Sequence, residues 1–280
     1  MPEEGAGAAA ARGQLTAAAG IVRSAVAPVL AQPSVAAEQV TQLVLGETVA
    51  VPERAGEWCR VETDLDHYGG WVHEGYLRLE TPESARAWRA AAILMSMGAA
   101  VQRPDGRRVR LPLRSRVAPG GADAVRLPDG SVATVTLGRV LPQEALAREA
   151  KAAPVHAWAA THFAGAPYQW GGVTPWGVDC SGLVQTTFLA RGIVLPRDSR
   201  PQAEAGRAVS PDAIRPGDLL FFRNAANERI GHVAFAGAGD QIVHSTLALG
   251  GVVVESFAPG SRAGETLRPL LVAVRRIPED

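Results

Sequence analysis

From residue 38 to residue 79 apolar and polar positions alternate in short runs cut by turn residues. Gln42-Leu43-Val44-Leu45 precedes Gly46-Glu47, and Thr48-Val49-Ala50-Val51 leads to Arg54-Ala55-Gly56. Trp58-Cys59-Arg60-Val61-Glu62 then alternates strictly, and Gly70-Trp71-Val72 and Tyr76-Leu77 close the series. Short strands with closely spaced turns predict a small β-barrel. Residues 17–29 predict a lead-in strand or an irregular segment, and the Ala-, Gly- and Glu-rich start predicts a disordered tail. Residues 83–142 read as a second, degenerate copy of the barrel. Residues 91–97 there fit a strand or a helix. Val109-Arg110-Leu111 alternates, and Val125-Arg126-Leu127, Pro128-Asp129-Gly130 and Ser131-Val132-Ala133-Thr134-Val135 have hairpin chemistry. Leu146, Ala153, Ala157 and Ala160 share one helical side over residues 146–163, with Pro154 breaking or kinking that helix. The predicted organisation is a tail over residues 1–20, a barrel over 21–82, a barrel-like module over 83–142 and a larger domain over 143–280. The fold class is α+β.

Composition narrows the function classes. The 280 residues are 47% hydrophobic and 20% charged, as in soluble globular proteins. Lys+Arg and Asp+Glu both count 28, so the basic excess of a nucleic-acid binder is absent and no nucleic-acid partner is expected. No run approaches the ~18 consecutive apolar residues of a membrane span. The chain starts Met1-Pro2-Glu3-Glu4, an acidic opening where a secretory signal would be basic. The expectation is a cytoplasmic monomer with no membrane partner, the alternative being a secreted or cell-envelope protein. Two cysteines are too few for a disulfide framework. Cys59 shares a strand face with Val61 and reads as a buried structural thiol. Neither His-Glu-x-x-His nor paired Cys-x-x-Cys occurs, so no metal or cofactor is expected.

Cys180 stands elsewhere. A Gly/Pro-rich loop ends in Asp179-Cys180-Ser181-Gly182, and Leu183, Val184, Thr187, Phe188 and Ala190 then recur at helical spacing. Cys180 therefore opens a helix, where the dipole and the free first-turn amides favour a thiolate and a developing oxyanion and should lower the thiol pKa. It reads as a nucleophile or as a small buried residue at a helix start. A thiolate nucleophile needs an imidazole. Of six histidines, His232 begins the strand Gly231-His232-Val233-Ala234-Phe235, and His244 lies in the next, Gln241-Ile242-Val243-His244-Ser245. Neighbouring antiparallel strands can set the two rings side by side, His232 facing Cys180 and His244 fixing its tautomer. The competing reading is two unrelated strand histidines.

Taken in order, Asp179-Cys180-Ser181-Gly182, the Arg215-Pro216-Gly217-Asp218-Leu219-Leu220-Phe221-Phe222 turn and strand, Gly231-His232-Val233 and Val243-His244-Ser245 resemble the NlpC/p60 peptidase domain. The resemblance covers roughly residues 150–278. It implies a papain-like core: a Cys-bearing helix packed on a five- or six-stranded antiparallel sheet bearing the His. It also implies that Tyr168 stands near the oxyanion hole. The earlier pattern resembles bacterial SH3 (SH3b) barrels. Tandem SH3b modules ahead of this domain resemble γ-D-glutamyl-L-diamino acid endopeptidases of cell-wall peptide recycling. In those enzymes the first SH3b module closes one end of the groove and selects murein peptides with a free N-terminal L-Ala. Carried over residue by residue, this implies Tyr68 and Glu38 in the first module, Asp198 as amine partner, and Ser199, Asp179 and Ser181 as further substrate contacts. The expected partner is thus a murein-derived peptide. The alternatives are a secreted hydrolase of intact wall anchored by its SH3b modules, a binding module with an idle thiol, or an amidase or acyltransferase.

Overall fold

Burial on alternate positions builds the first barrel. In the computed structural model, which describes residues 18–279 other than 225 and 227, the strands are β1 (Ala18–Val22), β2 (Val26–Leu30), β3 (Gln39–Val44), β4 (Thr48–Ala55), β5 (Trp58–Thr63), β6 (Gly69–His73) and β7 (Leu77–Glu80). They pair antiparallel in the order β3-β2-β6-β5-β4-β1-β7 around Val22, Val29, Leu43, Val49, Val61 and Val72. Cys59 is a fully buried free thiol in that core, as its alternation with Val61 predicts. The expected tail lies outside the described residues as far as residue 17. Residues 18–20 correct that boundary: they begin β1, because Ala18–Gly20 pair with β4 and Ala19 is buried.

A helix, α1 (Pro82–Ala91), follows that the hydrophobic pattern did not show. Its signals are local: the Thr81 side chain accepts the Ser84 N–H and Pro82 occupies the first turn. Trp88 packs with Ala85 on Ala19 and Ile21, and its indole N–H donates to Gly46 O at 2.8 Å. Residues 91–97 therefore hold a helix end and a strand. The second barrel comprises β8 (Leu94–Ser96), β9 (Ala99–Gln102), β10 (Arg108–Leu111), β11 (Arg116–Gly121), β12 (Ala124–Arg126), β13 (Val132–Leu137) and β14 (Val140–Pro142). Its order, β10-β9-β13-β12-β11-β8-β14, repeats the first barrel strand for strand.

In the third module α2 (Gln143–Lys151) and α3 (Val155–His162) replace one long helix, and Pro154 occupies the cap of α3. A short ribbon, β15 (Val173–Thr174) and β16 (Gly177–Val178), leads into α4 (Cys180–Ala190), followed by α5 (Ser199–Gln202). The sheet contains β17 (Arg207–Ala208), β18 (Leu219–Arg223), β19 (Ile230–Ala236), β20 (Gln241–Thr246), β21 (Gly251–Ser256) and, after α6 (Arg262–Leu267), β22 (Leu271–Arg276). Its order is β17-β22-β18-β19-β20-β21, all antiparallel. Every residue of α4 is buried. Leu183, Val184 and Phe188 pack on Leu219, Phe221, Val233 and Phe235 of the sheet. At about 1.5–3 kcal/mol per large apolar side chain, this interface anchors the position of Cys180.

Polar contacts lock the modules together. Gln185 of α4 donates to Asp66 in the first barrel at 2.7 Å and accepts from Arg114 in the second at 3.0 Å. Arg114 also forms a buried ion pair with Glu47. Among the described residues no helix is long and apolar enough to cross a membrane.

Candidate active site

The start of α4 is built around a buried carboxylate. Asp179 Oδ1 accepts the Gly182 N–H at 2.7 Å, capping α4, and Oδ2 accepts the Gly171 N–H at 2.8 Å. Arg197, 2% exposed, forks onto the same carboxylate at 3.1 and 2.6 Å. The Ser181 hydroxyl donates to Asp179 Oδ1 at 3.2 Å and accepts from Arg197 at 2.8 Å. Arg197 also donates to Thr41 Oγ1 of β3 at 2.7 Å, seating the first barrel. Asp179 and Ser181 line the cleft, but these bonds engage their polar atoms. Whatever contacts they make to substrate, the two side chains scaffold the helix start. Gly182 is required there: a Cβ would sit 2.0 Å from Gly172 O.

Cys180, 8% exposed, is the first residue of α4. The backbone N–H groups of Ser181 and of Val233, the residue after His232 on β19, act to lower its thiol pKa. Burial, and then the Asp179 carboxylate, push this thiol up to about 12, against the two amides and Arg197. The expected lowering at a helix terminus is thus overturned. Desolvation of the thiolate outweighs the groups that lower the pKa.

Strands β19 and β20 pair through Phe235↔Val243 and Ala236↔Ile242, so His232 and His244 are diagonal neighbours on one face. His232 Nε2 lies 2.8 Å from His244 Nδ1. On the far side His244 pairs with Val253, which makes Glu255 of β21 its other diagonal neighbour. His244 Nε2 lies 2.7 Å from Glu255 Oε1, and Arg262 of α6 donates from Nε to Glu255 Oε2 at 3.0 Å. Burial, and then the fields of His244 and Arg262, drive His232 down to about 3. Burial lowers His244 as well, against Glu255. Burial thus disfavours charge on the thiol and on both imidazoles. Tyr168 is held by its backbone N–H on Gly250 O at 2.8 Å. Burial, and then the charges of Cys180 and Asp179, raise its hydroxyl to about 12, so at neutral pH it is a donor.

Cys180 opens into a cleft of about 860 Å³, open mouth included, with walls from two modules. Glu38, Val40 and Tyr68 come from the first barrel; Trp170, Asp198, Ser199, Arg200, Ile230 and Gly231 come from the third module. Asp198 precedes α5 without capping it. Its carboxylate instead accepts the Tyr68 hydroxyl at 3.1 Å. Burial raises the Asp198 pKa, against Arg197 and Tyr68. Burial and then the Asp198 charge raise that of Tyr68. Glu38 accepts the Trp170 indole N–H at 2.8 Å, and Gln39 donates to Trp170 O at 2.7 Å. Trp170, 58% exposed, forms the rim. Sequence reasoning had assigned no role to Trp170, Arg197, Arg200 or Glu255. Trp170 lies in the Gly/Pro-rich loop before Cys180 and Arg197 next to Asp198, whereas only sheet register reveals Glu255.

Residues 29–77 match the family described as bacterial dipeptidyl-peptidase Sh3 domain, and residues 165–267 match the NlpC/P60 family. The γ-D-glutamyl-L-lysine dipeptidyl-peptidase of Bacillus subtilis is 30% identical over 226 residues, 73% of this chain and 71% of that protein. The chain belongs to the NlpC/P60 family. A second γ-D-glutamyl-L-lysine dipeptidyl-peptidase, from Bacillus cereus, is 28% identical over 230 residues and is spanned for 66% of its length. The crystal structure of an NlpC/P60 family protein from Bacillus cereus matches with a TM-score of 0.77 at 21% identity, covering 92% of this chain and 99% of that one. The fold, with two SH3-like modules ahead of the catalytic domain, is therefore shared. This NlpC/P60 protein is a cysteine peptidase, and its thiol candidate is the one at the head of α4.

Proposed function

We propose that this peptidase hydrolyses the bond between γ-D-Glu and a diamino acid in murein-derived peptides that begin with a free L-Ala. The observation that carries this reading is the Asp198 carboxylate. It faces the cleft, caps no helix and is bound by Tyr68 of the first barrel. With Glu38 of the first barrel it gives the cleft two carboxylates, which suits an ammonium ion. Arg200 lines the same cleft without an ion-pair partner among the described residues. It suits the free α-carboxylate of a γ-linked glutamate, and Ser199 adds a hydroxyl beside it. The names of the two Bacillus relatives point to the same peptide class.

In this mechanism Cys180 Sγ attacks the γ-carbonyl carbon while its proton passes to His232, so the costly buried thiolate need not accumulate. The Cys180 backbone N–H and the Tyr168 hydroxyl stabilise the oxyanion. Collapse expels the diamino-acid amine, which takes the proton from His232. Water activated by the same imidazole then hydrolyses the thioester. His244 holds the far side of His232 throughout.

The test is mass spectrometry of products from L-Ala-γ-D-Glu-diaminopimelate, with and without N-acetylation of the alanine. Cleavage of the free peptide and sparing of the blocked one is expected. Equal cleavage of both would remove the amine-recognition role, and cleavage of neither would overturn the substrate class.

A further inference from the structure

The two histidines can carry their protons in more than one way, and the direction decides whether His232 can act as a base. A neutral imidazole has one N–H and one lone pair. In the Nε2···Nδ1 contact between His232 and His244, one ring must donate and the other accept. If His232 Nε2 donates, its Nδ1 is a bare lone pair and the ring can take up a proton there. If His244 Nδ1 donates, His232 Nδ1 carries a hydrogen and the base is disabled. Nothing within the two rings selects one direction.

We propose that Glu255, anchored by Arg262, is the positioning residue that sets this direction for the whole chain. A carboxylate held by a guanidinium offers only acceptors. The 2.7 Å contact with Glu255 Oε1 therefore requires the hydrogen on His244 Nε2. His244 Nδ1 is then a lone pair, so the 2.8 Å contact is a hydrogen bond donated by His232 Nε2, which leaves His232 Nδ1 unprotonated. When His232 takes the thiol proton, the imidazolium donates more strongly along the same line, and the Glu255 charge lies two bonds down it. Arg262 contacts both carboxylate oxygens, with Nε on Oε2 at 3.0 Å and Nη2 on Oε1, and so fixes which oxygen meets the ring. His244 is 1% exposed, which keeps water from substituting for the carboxylate.

Long-range ¹H–¹⁵N correlation of the imidazole rings in the full chain reads the tautomers directly, without substrate, so the result is independent of the proposed peptide specificity. Wild-type His232 and His244 should both show protonated Nε2 and unprotonated Nδ1. A protonated Nδ1 on His232 in the resting enzyme overturns the proposal by itself. Glu255→Gln can offer an amide N–H to His244 and should populate the reversed direction. Its kcat should fall about 10- to 100-fold, with KM within twofold and the melting curve close to wild type. Glu255→Asp, which retains the acceptor, should recover part of that loss. If Glu255→Gln keeps both the wild-type tautomers and the wild-type kcat, Glu255 does not set the direction. If KM rises while kcat holds, the residue acts on substrate instead.

Discussion

Asp198→Asn removes one negative charge from the cleft and almost no volume. Unit charges about 3 Å apart attract by about 5 kcal/mol at an effective dielectric near 20. After desolvation, a hydrogen bond to a charged group retains about 1.5–3 kcal/mol. Asp198 keeps solvent contact and Glu38 remains in the same cleft, so the lower half of that range applies. A loss of about 2 kcal/mol is roughly 30-fold in kcat/KM for the free-amine peptide. The assay compares L-Ala-γ-D-Glu-diaminopimelate with its N-acetyl form in both proteins. The variant should lose that factor on the free peptide and change less than about threefold on the blocked one. An equal loss on both would refute amine recognition by Asp198. The pKa direction adds a second readout. Burial raises Asp198 in the folded protein, so the native state binds its proton more tightly than the unfolded chain. Its ionisation therefore costs stability as pH rises from the ordinary aspartate value of about 3.9 through the raised one. The Asn variant should thus melt at or above the wild-type temperature at neutral pH, with the difference shrinking in acid. The free-amine preference of wild type should fall as acid protonates the carboxylate.

Three further outcomes follow from the site. With the Cys180 thiol raised to about 12, its alkylation by iodoacetamide in substrate-free protein should climb with pH and show no plateau at or below the ordinary thiol value of about 8.5; a plateau in acid would indicate a resting ion pair. Arg197→Met leaves the buried Asp179 carboxylate without its cation, which costs about 3–5 kcal/mol and should lower Tm by about 10 °C in a thermal melt, with activity falling in parallel. Arg200→Ala should reduce kcat/KM about tenfold for peptides with a free glutamate α-carboxylate and leave the amidated analogue unchanged; equal effects on the two would show that Arg200 does not read the carboxylate.

How far each part was legible depends on how local its signal is. The Asp179-Cys180-Ser181-Gly182 run predicts a helix opening at Cys180, and α4 begins there; the cap formed by Asp179 and the close packing of Gly182 emerge only from the structure. Strand alternation around Cys59 was equally local. The helix over residues 82–91 was missed although Thr81 and Pro82 announce it, because its apolar side rests on little more than Ala85 and Trp88. Glu255 could not be read at all. In Val252-Val253-Val254-Glu255-Ser256 it looks like a charge on a strand, and its place beside His244 exists only once the β20–β21 register is set. The thiol was misjudged for another reason. Helix-end stabilisation follows from sequence position, whereas the desolvation that outweighs it depends on everything packed around α4.

The two barrels show how one fold can serve different ends. They share strand order, yet only the first contributes side chains to the cleft. The difference lies in equivalent loops. In the first barrel the β2–β3 and β5–β6 connections carry Glu38 and Tyr68, which face Trp170 and Asp198 across the module boundary. In the second, the corresponding β9–β10 and β12–β13 connections carry Arg103 and Asp129, which pair with each other at 2.6 Å. That barrel reaches the catalytic helix through the Arg114–Gln185 hydrogen bond, and its Met95 and Leu113 join the same buried cluster as Leu183 and Phe188. Because Gln185 also binds Asp66, the second barrel steadies the first against α4 while the first shapes the cleft. On the proposed reading, selectivity for the amine end would depend on a rigid seat as much as on Tyr68 and Asp198 themselves. Their 3.1 Å contact spans two modules that Arg197, Gln185 and the bonds to Trp170 hold together.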